Sequence, residues 1–203
     1  MPILQDAERD ALTEICSIAM GHAANALSQL MGKTVSIEVP SLRTTDAAAL
    51  AKQLGAQEIV GLGLKILGNV RGGMLILLKD RDARLMVELL LDSKLAEGAP
   101  LSELERSTLM EVGNIVASAS LNALGLVLKM TLLPSVPSLL AGEASGVLAK
   151  LLGEPADGEP VLTFDTLFSI GASLCGGSIL LMPEPASLGE ILSLLSPSKG
   201  VAR

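Results

Sequence analysis

The chain has 203 residues, 49% hydrophobic and 18% charged, with a net charge of -7; this is enough apolar material for a sizeable core and argues against a disordered chain. Two Phe, no Tyr or Trp and no cluster of Lys or Arg argue against a protein that stacks on bases or tracks a phosphate backbone. Two Cys and a single His give no disulfide framework, and His22 has no partner at metal-ligand spacing, so it reads as a surface or packing residue.

In chain order, MPILQDAERD lacks the basic and apolar regions of a signal peptide, and a cytoplasmic protein with reduced thiols is expected. Asp6 is expected to cap a long helix that fades near Met31 and Gly32. Cys16, without a basic neighbour, reads as a small apolar packer, as does Cys175. Strands are expected at 34–38, where Pro40 ends the run, and at 58–66 and 73–79, the last opened by Gly72-Gly73. A helical pattern starts at Arg81, and 91–101 is a polar linker. Ser102 with Glu105 is a capping box for a second long helix that fades near Val127 and Leu128. Strands follow at 131–133, ended by Pro137, then at 161–169 and 178–182, before a helical pattern from Glu184. The most apolar stretch, 121–140, is broken by Asn122, Lys129, Pro134 and Pro137, so no membrane span is expected.

The chain repeats itself. Residues 10–42 align with 107–139 at an offset of 97, with eleven of thirty-three positions identical, among them Glu14 with Glu111, Asn25-Ala26-Leu27 with Asn122-Ala123-Leu124, and Val39 to Leu42 with Val136 to Leu139. Gly72-Gly73 and the strand after it align in turn with Gly176-Gly177. Each half reads as long helix, extended segment, hairpin strands and short helix. The expectation is a single α+β domain of two repeats, about 6–92 and 102–196, with pseudo-two-fold symmetry, an antiparallel sheet flanked by helices and one shared core.

On the second long helix Ser107, Glu111 and Asn114 stand at i, i+4 and i+7, within about 60° of one another at 100° per residue, and form one narrow stripe that Ser118 extends. On the first helix the same frame holds Asp10, Glu14, Ser17 and Gly21. A solvated helix face would explain any single E-x-x-N. Here the frame occurs twice, each copy has a proline 23 residues after its third member (Pro40 and Pro137), and the rest of the stripe is sparse. A carboxylate and a carboxamide one turn apart can pair with a cation and orient a water. They lack a nucleophile, a metal set or a base dyad, so they suit a reaction whose electrophile sits on a partner, and phosphoryl transfer divides that way.

These residues resemble the CheC branch of the CheC/CheX/FliY phosphatases of chemotaxis. The family motif is Asp or Ser, three residues, Glu, two residues, Asn, then 22 residues and Pro. Ser107, Glu111, Asn114 and Pro137 match it throughout, whereas Asp10, Glu14 and Pro40 match with Ser17 in the place of Asn. The resemblance implies hydrolysis of the phospho-aspartate of a CheY-type response regulator, with Asn114 orienting the water and Glu111 docking on the regulator's lysine. Ser107 would support the helix face and Pro137 shape the adjoining turn. No cofactor would be held by this chain, and Mg²⁺ would sit in the regulator. The deamidase CheD is a further partner that the family implies; nucleic acid and membrane are not. With Ser17 too short to hold the water, Asp10, Glu14, Ser17 and Pro40 would form a degenerate first site. The rival expectation is a non-catalytic module that binds CheD or a regulator.

Overall fold

Two 26-residue helices, α1 (Asp6–Met31) and α4 (Glu103–Leu128), set the scale of the fold. The computed structural model describes residues 4–96, 98–152 and 161–195; the expected end of the second repeat, residue 196, lies outside them. α4 opens on the predicted capping box: Glu105 accepts from the Ser102 N–H at 2.8 Å, and Ser102 Oγ accepts from the Glu105 N–H at 3.4 Å. α1 opens differently from the expectation. Asp6 is already helical, and the cap position is Gln5, whose N–H donates to Glu8 Oε2 at 2.9 Å. α1 stops at Gly32, in the left-handed region at φ 62°, where no Cβ penalty applies.

After α1 come β1 (Val35–Thr45), α2 (Ala47–Leu54), β2 (Glu58–Gly68), β3 (Gly72–Lys79) and α3 (Asp80–Leu91). After α4 come β4 (Leu132–Pro134), β5 (Ser138–Glu143), α5 (Ala144–Leu152), β6 (Val161–Ile170), β7 (Ser173–Pro183) and α6 (Pro185–Leu195). The strands form one antiparallel sheet in the order β1-β6-β7-β3-β2-β4, with β5 also on β2. The outer strand of each half pairs with the hairpin of the other: β1 lies on β6, and β4 and β5 lie on β2. The halves are interlocked, and neither closes its own sheet.

The register locates the pseudo-two-fold. Ser41 pairs with Asp165, and its repeat partner Ser138 pairs with Gly63; Asp165 and Gly63 are therefore equivalent. Their neighbours on the next strands, Ser178 and Leu75, are equivalent too. The symmetric pair at the sheet centre is then Ile76 opposite Ile179. This overturns the alignment of Gly72 with Gly176: the strands correspond with Gly73 opposite Gly176 in the repeat, one residue away. In a strand a one-residue slip exchanges the two faces, and the ladder decides the register where sequence identity misleads. Gly176 and Gly177 lie inside β7 and do not open a strand.

Pro40 does not end its strand. β1 runs on to Thr45, and the pairing with β6 shifts between Glu38 and Ser41, so the residue without an N–H sits at an irregularity of an outer strand. Pro137 stands at the matching break between β4 and β5, where Ser135 exchanges bonds with Lys65 at 2.9 Å in both directions. Helices α2 and α5 and strand β5 are further elements beyond those the sequence reading named.

The sheet has a helical layer on each face. Met74, Ile76 and Leu78 of β3 and Leu62 of β2 pack with Leu109, Val112 and Val116 of α4 and Met20 and Ala23 of α1 in the main core. On the other face Leu75, Leu77 and Leu180 meet Leu50 of α2 and Val147 and Leu148 of α5. Each such buried Leu, Ile, Val or Met side chain contributes about 1.5–3 kcal/mol. By length and composition alone α4 could cross a membrane, with a mean hydropathy of 1.4, but half of its apolar window is buried within this fold; its hydropathy follows from packing against both α1 and the sheet.

The repeats differ in polarity. Asp165, at the position of Gly63, receives Arg43 Nη2 and Nε at 2.8 and 3.1 Å, the Ser41 hydroxyl at 2.5 Å and the Ser178 hydroxyl at 3.3 Å. Gly63 and Gly61 instead give room to Leu151 of α5, which would lie 2.9 and 2.7 Å from a Cβ at those positions.

Candidate functional site

α4 turns its sheet face inward through Leu109, Val112, Gly113 and Val116, all buried. The opposite side then carries Ser107 and Glu111, both exposed, and Asn114, half-buried. Gly113 is a condition for this placement: a Cβ there would stand 3.0 Å from Leu62 Cδ1, so glycine lets α4 lie close on β2 directly beneath the Glu111–Asn114 turn. Among the described residues the side chains of Glu111 and Asn114 have no hydrogen-bond partner. A carboxylate and a carboxamide are thus held one turn apart by a packed helix, with their polar ends open to solvent.

The structure places Asn114 on the wall of a groove of about 610 Å³ between α4 and α1. Ile115, Ser118, Ala119 and Asn122 continue that wall, and Ile15, Ile18 and His22 face them from α1. The groove is not symmetric: it takes in Asn114 and Ser118 of the second copy but not Ser17 and Gly21 of the first. Ala119 lines this groove and packs against the main core as well.

The first copy, Asp10, Glu14 and Ser17, is exposed along α1. Ser17 is not free, however. Its hydroxyl donates to the Thr13 carbonyl oxygen at 2.8 Å, the back-bond that serine favours inside helices.

The strand two residues beyond each motif proline is tied to its helix by an arginine that the sequence reading missed. Arg9 Nη1 donates to the Leu42 carbonyl at 3.1 Å, and Arg106 Nη2 to the Leu139 carbonyl at 2.9 Å. The four residues obey the offset of 97; the signal was an identical Arg just ahead of the aligned window. These bonds fix the strand beyond Pro40 and Pro137 against the base of α1 and α4.

Nucleophilic chemistry has little support. Cys16 is buried among Leu12, Ser120, Leu124 and Phe164, and burial pushes its thiol up to about 12. Cys175 is buried in β7, and burial, aided by the Asp82 charge, pushes it up to about 11. Among the described residues no three His, Cys, Asp or Glu side chains converge as metal ligands.

Residues 8–43, which hold the first copy of the stripe, match the CheC-like family. The CheY-P phosphatase CheC of Bacillus subtilis is 27% identical over 168 residues, 80% of each chain. The chain is thus similar to CheC-like proteins. The likeness extends to the fold: the structure of Thermotoga maritima FliY superposes with a TM-score of 0.80 at 19% identity, over 96% of this chain and 98% of that one. The CheX–CheY–BeF3–Mg²⁺ complex of Borrelia burgdorferi includes a chain with a TM-score of 0.52 at 16% identity, over 82% of this chain and 96% of that chain.

Proposed function

We propose that this chain hydrolyses the phospho-aspartate of a CheY-type response regulator, with α4 as the working face. The observation that carries the reading is the Glu111–Asn114 pair: solvent-facing, without internal partners and set on a buried, tightly packed helix. The name of the Bacillus relative, a CheY-P phosphatase, and the presence of CheY in the Borrelia complex support the same partner class.

In this reading Glu111 docks on a cation of the regulator. The Asn114 carboxamide holds a water against the phosphoryl group. The water oxygen forms the new bond to phosphorus as the aspartyl oxygen–phosphorus bond breaks, leaving inorganic phosphate and a free carboxylate. The water's protons pass to phosphate and solvent. The contribution of the chain is position and hydrogen bonding, which is most of what phosphoryl transfer asks of a protein. The magnesium ion of such a reaction belongs to the regulator. Asp10 and Glu14 retain a docking surface on α1, while Ser17 holds no water and leaves that copy inert.

Phosphate release from a phosphorylated regulator tests the proposal. Asn114→Ala is expected to lower kcat by roughly a hundredfold or more, and Glu111→Ala chiefly to raise KM. Tight binding of the regulator without faster phosphate release would make the chain a binding module instead.

A further inference from the structure

An asparagine that positions water must present one chosen end of its carboxamide, yet the last torsion of the side chain is broad and roughly two-fold. Something has to hold the other end. In a helix each side chain leans toward the N-terminus, so residue i+4 covers the turn that carries residue i. Ser118 is that residue for Asn114; it is half-buried and lines the same groove wall.

Its hydroxyl is available. Thr13, Ser17, Ser28, Thr108 and Ser120 each donate to the carbonyl four residues back, at 2.7–2.8 Å. Ser118 makes no such bond and has no side-chain partner among the described residues. The apolar groove residues Ile115, Ala119, Ile15 and Ile18 offer Asn114 no hydrogen bond. In the first copy the equivalent position is Gly21, exposed with open space around its Cα. The copy with asparagine has this hydroxyl, and the copy with serine lacks it.

We propose that Ser118 is a positioning residue for Asn114: on docking of the regulator its hydroxyl takes one end of the carboxamide, and the other end holds the water. This rests on the assignment of Asn114 above. The proposal also explains the first copy as doubly deficient, in the carboxamide and in the group that would hold it.

The test is phosphate release at varied concentrations of phosphorylated regulator, with the intact chain. Ser118→Ala removes only the hydroxyl and favours the helix, so folding is not at risk. The expected result is kcat lowered roughly ten- to a hundredfold with KM unchanged, because Glu111 is untouched. In an Asn114→Ala background, Ser17→Asn combined with Gly21→Ser is expected to release phosphate several-fold faster than Ser17→Asn alone. A Ser118→Ala variant within twofold of the parent kcat, beside a deeply impaired Asn114→Ala, overturns the role of Ser118 and leaves that of Asn114 standing. If Asn114→Ala itself keeps full turnover, the underlying assignment fails, and this one with it.

Discussion

Ser17 gives its hydroxyl to the carbonyl oxygen of Thr13 at 2.8 Å, whereas Asn114, 97 residues on, keeps its carboxamide unbonded. The difference between the two copies is thus more than side-chain length: one polar group is spent within its own helix, and the other faces the groove. Ser17→Ala is accordingly expected to leave phosphate release within twofold of the parent and to change stability by no more than about 0.5 kcal/mol, since a back-bonded serine adds little to a helix. Parallel turnover and urea-unfolding measurements check both; a marked loss of turnover would show that α1 carries a working site.

What could be read from the chain was mostly what is local. The capping box at Ser102 and Glu105 and the stop at Gly32 depend on residues within one turn, and they stand where the pattern put them. Pro40 misled because its missing N–H matters only if the strand is inner and regular, and β1 is an outer strand with a shifted pairing at that point. The register slip at Gly72 arose because identity between glycines says nothing of which face a strand presents. The α+β class and its antiparallel sheet were legible from the repeat; the interlock of β1 with β6 and of β5 with β2 was not, because it is a long-range choice. At the site, the exposed stripe followed from helical spacing. The groove beside Asn114 depends on how α1 and α4 cross, which no spacing within one helix encodes.

Gly113 offers a test of how the site is seated. A Cβ would press on Leu62, which is fully buried and has little room to yield. For Gly113→Ala the gain in helix propensity, about 1 kcal/mol, offsets much of that pressure, and a small net change is expected. Gly113→Val adds two methyl groups against the sheet and is expected to cost about 1–3 kcal/mol and to lower kcat by lifting the Glu111–Asn114 turn. Urea unfolding with an unchanged m-value would register the first effect. A Val variant as stable as the parent would mean that α4 does not rest on β2 as closely as described.

Asp165 should make the fold acid-sensitive. Burial by itself would raise its carboxyl, but the hydrogen bonds from Arg43 and Ser41, the Arg43 charge and the Ser178 hydroxyl together hold it below the usual range. A depressed carboxyl in the folded state stabilises the fold above the unfolded value, about 3.9, and that contribution is lost as pH falls through the lower folded value. Unfolding free energies at a series of pH values below about 5 should therefore fall more steeply for the parent than for Asp165→Asn. Identical slopes would place the acid sensitivity in other carboxylates.

The two thiols give a probe that reports on packing independently of catalysis. With Cys16 pushed up to about 12 and Cys175 up to about 11 by burial, the thiolate at pH 8 is on the order of one part in ten thousand and one in a thousand, against roughly a quarter for an ordinary cysteine near 8.5. Access is restricted as well: Cys16 lies under the crossing of α1 with α4, and Cys175 has no exposed surface. Modification by a thiol-specific reagent at pH 8 is expected to be at least about a hundredfold slower in the native chain than in urea, and to rise with urea along the unfolding transition. If Cys16 alone reacted quickly in the native state, the α1–α4 contact would have to open without global unfolding, and the groove that Asn114 lines would open with it.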